Sequence, residues 1–265
     1  MLQESVDLLA EAEALHGFLR TLDERDWQRE TGFLRWTPWD VVAHLHFFDR
    51  VSLLSLAGDA AFLARRDDLK ERMEKGEPSA GMARRELGAL APDVLLARWQ
   101  ATCREMATQL GASDPNRRLR WFGPDMGVRM FTTARLMETW AHGQEIYDLK
   151  RVKRAPTDRL RHICVLGVRT FGWTFTNRDL EAPGPPPHVR LVAPSGAIWE
   201  WNEESESGRV EGDALEFCQV VAQVRNVADT ALRVEGDVAT RWMAIAQCFA
   251  GGPVDPPQPG ERSWK

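Results

Sequence analysis

The feature that most constrains the fold is a break at residues 182–187, Ala-Pro-Gly-Pro-Pro-Pro. Such a run cannot be helix interior, because each proline lacks a donor N–H and clashes with the preceding turn. The apolar period differs on its two sides. Before it, apolar residues recur at helical spacing, as at Leu8, Leu9, Ala12, Leu15, Phe18, Leu19 and Leu22. After it, residues 188–192 and 198–201 alternate as strands do, with Pro194-Ser195-Gly196 as the turn between them. The 265 residues therefore read as an all-α part over 1–182, a small α+β part over 188–252, and a Pro- and Gly-rich flexible tail over 253–265.

Within the first part, helices are expected over 5–22, 37–57, 92–111 and 131–150, with a short exposed one in the charged stretch 65–75. Thr37 suits the cap of the second, Pro38 its first position and Asp40 its N-terminal dipole; Gly58 follows its end. Four long helices with modest connections imply an antiparallel four-helix bundle, with one extra helix running from a cap at Thr157 to about Thr176. Beyond the hairpin, Arg209 to Gly212 leads into a helix over 213–226, followed by a strand over 230–235 and a helix over 238–249.

Composition excludes some functions. Hydrophobic residues are 43%, charged residues 28% and the net charge is −5, a globular balance without the basic footprint of a nucleic-acid binder. The basic run over 116–120 is short and reads as a solvated loop. No apolar stretch reaches the roughly 18–20 residues of a membrane helix, and the N-terminus has no signal-peptide pattern. Cys103, Cys164, Cys218 and Cys248 form no CxxC pair, so free thiols in a reducing cytoplasm are expected. Eleven Trp against one Tyr imply that several Trp line a pocket or an interface.

Glu138 and His142 are four apart in the helix over 131–150, one turn above each other on one face. Such a pair can hold a metal ion from two adjacent turns, as in bundle metal sites. It is equally the spacing of an ordinary helix ion pair. A third ligand must come from another helix, and the second helix carries His44 and His46. These lie about 200° apart around it, so only one can face the bundle interior. Glu145, one turn beyond His142, could orient it or act as a base; Asp49 has a similar, weaker claim.

Trp39-Asp-Val-Val-Ala-His44-Leu, followed by Glu138-Thr-Trp-Ala-His142-Gly-Gln-Glu145, resembles the DinB/YfiT-like superfamily, and more closely the mycothiol-dependent maleylpyruvate isomerase family. The closing segments over 216–225 and 242–247 resemble a metal-binding subfamily. The resemblance spans nearly the whole chain, to about residue 250, and implies a DinB-like bundle followed by a small α+β domain. It puts the metal ligands on His44, Glu138 and His142 and leaves His46 outside. It also implies an arginine of the C-terminal domain that faces the substrate, with Arg225 as candidate and Arg233 and Arg241 as competitors. A cleft between the two domains is expected.

Two His and one Glu leave coordination positions open, the mark of a catalytic metal. Zinc suits the set; nickel or iron fits it too. The resemblance implies a thiol such as mycothiol as cosubstrate, in a transferase or isomerase acting on a small electrophilic, anionic substrate. Two other readings keep the same ligands: a thiol-independent Lewis-acid hydrolase, cyclase or isomerase, and a non-enzymatic metal- or ligand-binding protein. The expected partners are the small-molecule substrate and the thiol, with no nucleic acid and no membrane; the chain itself is a monomer or homodimer.

Overall fold

The computed structural model describes residues 1–262, the side chain of Ser79 excepted. The chain forms two compact units, Met1–Lys150 and Arg151–Lys265. Among the described residues, no helix is long and apolar enough to cross a membrane.

The first unit is the expected antiparallel four-helix bundle. Its four long helices are α1 (Gln3–Leu19), α2 (Pro38–Ala57), α5 (Pro92–Ala112) and α6 (Val128–Lys150). α1 and α2 each pack against both α5 and α6, which closes a ring of four. The core between them is apolar, with Leu8, Leu15, Leu45, Leu95, Trp99, Phe131 and Ile146 all buried. α2 starts as its sequence requires. The Thr37 hydroxyl accepts from the Asp40 N–H at 3.3 Å and the Asp40 carboxylate accepts from the Thr37 N–H at 2.9 Å, a reciprocal cap with Pro38 behind it. The connection from α2 to α5 contains α3 (Asp59–Glu74) and α4 (Ser79–Leu87). α3 is longer than the charged stretch 65–75 implied, and α4 was not expected.

The turn-rich segment before α6 holds a short antiparallel pair, β1 (Arg118–Leu119) and β2 (Met126–Gly127). Strands of two residues carry no readable alternation. The segment is tied to the end of α2: the Ser55 hydroxyl donates to the Arg120 carbonyl at 2.8 Å, and Arg117 donates to the Leu56 carbonyl at 2.7 Å. Arg120 pairs with Asp59 and Asp125, so part of the basic run is neutralised locally.

The second unit joins a mixed sheet to four helices. The sheet comprises β3 (His188–Val192), β4 (Ile198–Trp201), β5 (Arg209–Asp213) and β6 (Arg233–Glu235) in the order β4-β3-β5-β6, with β3 and β5 parallel and the other pairs antiparallel. The β3–β4 hairpin turns at Pro194-Ser195-Gly196 as expected, with Gly196 at φ +85°. The helices are α7 (Leu160–Arg169), α8 (Phe171–Thr176), α9 (Ala214–Val221) and α10 (Asp237–Ile245).

Three sequence expectations need correction. The contact boundary falls at 150–151 rather than in the proline-rich segment. α7 and α8 pack with α9 and α10: a Cβ on Gly167 would sit 2.9 Å from Val221, and Phe171 meets the Trp242 ring edge-on at 5.4 Å. A sheet of short strands with two short helices has too little apolar area alone, and α7 and α8 supply the rest. Second, the helix expected from Thr157 to Thr176 is two helices, broken at Thr170, and its first residue is Leu160. Third, the described part of the tail is fastened to its unit. Asp255 pairs with Arg178, Gln223 and Asn226 donate to the carbonyls of Val254 and Pro257, and Asp229 accepts from the Gly260 N–H. Residues 263–265 of the expected flexible tail lie outside the described residues.

Candidate metal centre

His44 lies in the second turn of α2; Glu138 and His142 lie on one face of α6. The two helices pack together and bring one donor atom of each side chain within 4.8 Å of the others. The Glu138 carboxylate stands between the imidazoles, its Oε2 at 3.3 Å from His142 Nε2 and 3.6 Å from His44 Nε2. Donors bound at about 2.0–2.1 Å to one tetrahedral ion stand about 3.3–3.4 Å apart. Two of the three separations lie close to that value, and the third is within 4.8 Å. All three remain reachable, with side-chain exposures of 12% for His44, 13% for His142 and 23% for Glu138.

Electrostatics favour the neutral form of His44 and the ionised form of Glu138. Burial, then the neighbouring His142, pushes the His44 pKa down to about 4. Burial pushes Glu138 up, but hydrogen bonds to His142 and His44 and the charge of Arg135 outweigh it and hold the carboxyl well below its usual range. A neutral imidazole and an ionised carboxylate are the forms that ligate a metal.

Aromatic rings wall the group. The Trp36 ring stacks on His142 at 5.4 Å and 18°, Phe33 meets His142 edge-on at 5.1 Å, and Phe48 lies 4.7 Å from His44. Phe33 and Trp36 come from a tight loop in which Leu34 and Arg35 both adopt left-handed backbone, φ 49° and 58°. That conformation costs on the order of 1–2 kcal/mol for each non-glycine residue. The Thr31 N–H donates to the Trp36 carbonyl at 2.7 Å and closes the loop. Just upstream, Asp26 pairs with Lys150 at the end of α6. The sequence signals a Trp-rich pocket only through its Trp count; Phe33, Trp36 and Phe48 individually were not foreseen.

Beside the trio lies a buried ion pair between the same two helices. Arg135 Nη2 and Nε donate to Asp49 Oδ1 at 2.9 and 3.2 Å, and Trp99 of α5 donates to Asp49 Oδ2 at 3.2 Å. Asp49, a weak candidate for a base near the metal, has this structural partner instead.

Neither His46 nor Glu145 is among the three converging donors. His46 is buried on another side of α2, near Arg50 and Arg98, as the helical phase requires; burial and then those charges push its pKa down to about 4. Glu145 is buried one turn beyond His142. Arg225 belongs to the second unit, where it is buried after α9 and its Nη1 donates to the Val224 carbonyl at 3.0 Å. Arg233 pairs with Glu211 and Glu235, and Arg241 with Asp237, on exposed surface.

A pH dependence follows. In the metal-free fold, His44 and His46 stay neutral down to about pH 4, whereas unfolded histidine titrates near 6.5. Over that window the unfolded state binds more protons, so stability falls as pH drops from 6.5 to 4, on the order of 3 kcal/mol for each histidine. Urea unfolding across this range is expected to show the fall, and His46→Leu is expected to reduce it. A wild-type stability flat between pH 6.5 and 4 contradicts the assignment.

Comparison with known proteins gives the family. Residues 8–147 match the family model of the mycothiol maleylpyruvate isomerase N-terminal domain. An uncharacterized protein present in two strains of Mycobacterium tuberculosis is 38% identical over 251 residues, covering 93% of this chain and 95% of its own length. The crystal structure of a mycothiol-dependent maleylpyruvate isomerase matches with TM-score 0.52 at 12% identity. A histidine-to-alanine mutant of that enzyme matches with TM-score 0.53 at 11% identity. Both alignments cover 83% of this chain and 88% of the other, a likeness of fold. With more than half its length inside the family model, and a bundle of the same architecture, the chain belongs to the mycothiol maleylpyruvate isomerase N-terminal domain family.

Proposed function

We propose that His44, Glu138 and His142 hold one divalent metal ion. We further propose that the chain is a transferase or isomerase using a low-molecular-weight thiol, such as mycothiol, on a small electrophilic, anionic substrate. One observation carries the reading: two imidazoles and a carboxylate from separate helices converge within 4.8 Å in a family related to a mycothiol-dependent isomerase. Zinc suits this set best; nickel and iron accept the same donors. A divalent ion there supplies Lewis acidity, which favours the thiolate form of a thiol near neutral pH.

The chain's own residues do the rest. His44 and His142 each offer an imidazole nitrogen, and Glu138 offers a carboxylate whose charge offsets part of the ion's. Phe33, Trp36 and Phe48 keep water away from one side of the group and strengthen the electrostatics there. Glu145, one turn along α6, is the candidate for orienting His142 or for moving a proton. Arg225 is the candidate for holding the substrate's anionic group, since its planar fork presents two parallel donors to a carboxylate. Its burial also separates it from Arg233 and Arg241, which are exposed and ion-paired. The four cysteines are free thiols, which suits a reducing cytoplasm.

Elemental analysis of purified protein is expected to find about one divalent ion per chain. His142→Ala is expected to lose it and His46→Ala to keep it. Full metal content in a natively folded His142→Ala variant contradicts the ligand assignment. For Arg225, replacement by Lys is expected to weaken turnover or binding of a carboxylate ligand while metal content and melting temperature stay near wild type. A lowered melting temperature with ligand binding unchanged would instead make Arg225 a structural residue.

A further inference from the structure

The trio's geometry depends on two helices that could slide or rotate against each other. α2 brings one ligand and α6 brings two, and no covalent constraint fixes their spacing. Apolar packing between helices is tolerant, with preferred crossing angles that scatter by about 15–20°. Such scatter is harmless to a core but large for donor atoms that must converge on one point, which need placing within about 0.5 Å.

Beside the contacts of the trio itself, a directional contact joins the side chains of α2 and α6: Asp49 with Arg135. Both side chains are almost wholly buried, at 1% and 4% exposure. Arg135 lies three residues before Glu138 on α6; Asp49 lies five after His44 on α2. Arg135 grips a single oxygen with two donors, which fixes direction as well as distance. The other oxygen accepts from Trp99, so a third helix holds the carboxylate against rotation.

Stability alone does not account for this pair. Replacing a buried ion pair with apolar residues of similar volume is often neutral or stabilising, because both charges lose their hydration. What an apolar pair cannot supply is a fixed register. We infer that Asp49 and Arg135 are positioning residues of the metal centre, holding α2 and α6 in the register at which His44 meets Glu138 and His142. The inference rests on the metal reading proposed above.

Three proteins test it: wild type, the double variant Asp49→Leu/Arg135→Met, and Arg135→Lys. The double variant leaves no unpaired buried charge; the Lys variant keeps the charge and loses the two-pronged grip. Each metal-free protein is checked by circular dichroism and thermal unfolding, then titrated with Co(II) while its visible absorption is recorded. The double variant, in which the buried Trp99 N–H loses its acceptor, is expected to fold with a modestly lowered unfolding temperature, bind Co(II) about 10–100-fold more weakly and show an altered ligand-field band. Arg135→Lys is expected to show a smaller change in the same direction. A folded double variant with wild-type affinity and spectrum overturns the inference. Should the double variant fail to fold, wild-type affinity and spectrum in Arg135→Lys overturn it instead. Wild-type protein that binds no Co(II) removes the metal reading itself, an outcome distinct from equal binding by all three.

Discussion

A carboxylate bridging two imidazoles is the interaction on which the proposed metal centre depends. It exists only because α2 and α6 face each other at one register. Glu138 and His142 share a helix and would lie one turn apart in any context. His44 must arrive from another helix, α2, which packs on α6 and is tied to it through Asp49 and Arg135. The environment then fixes the protonation states. Burial keeps His44 neutral, and the imidazoles with Arg135 keep Glu138 ionised despite its burial. The aromatic loop completes the arrangement at a cost in backbone strain, which is the pattern of a functional site rather than of an optimised scaffold.

The parts of this arrangement that were legible in the sequence are those governed by local rules. The cap at Thr37 and Asp40 is written in four consecutive residues, and the choice between His44 and His46 follows from helical phase once one of them is placed inside. The resemblance supplied that placement; spacing alone left it open. The Asp49–Arg135 pair was not legible, because its residues are 86 apart and neither carries a motif. The β1–β2 pair was hidden for a different reason, since two-residue strands have no period to read. The unit boundary was misplaced because a proline run marks where the chain cannot be helical, not where packing stops. α7 and α8 precede the prolines yet pack on α9 and α10, which follow them.

The second unit is closely packed. Its helices α7 and α9 approach so closely that Gly167 has no room for a Cβ, and its C-terminal segment is tied down by Arg178, Gln223, Asn226 and Asp229. Arg225 sits in this well-fastened surrounding, just after α9. A guanidinium held in place loses little entropy when it meets an anion. That argues for Arg225 over its exposed competitors as the anion-holding residue.

The central claim is that one metal ion is held by two imidazoles and one carboxylate. X-ray absorption at the zinc edge of zinc-loaded protein, recorded without added thiol, addresses it most directly. The account predicts a nearest shell of nitrogen and oxygen at about 2.0–2.1 Å, with the outer scattering of two imidazole rings. A sulfur neighbour at about 2.3 Å, which would require one of the buried cysteines, or the absence of imidazole scattering, would contradict it.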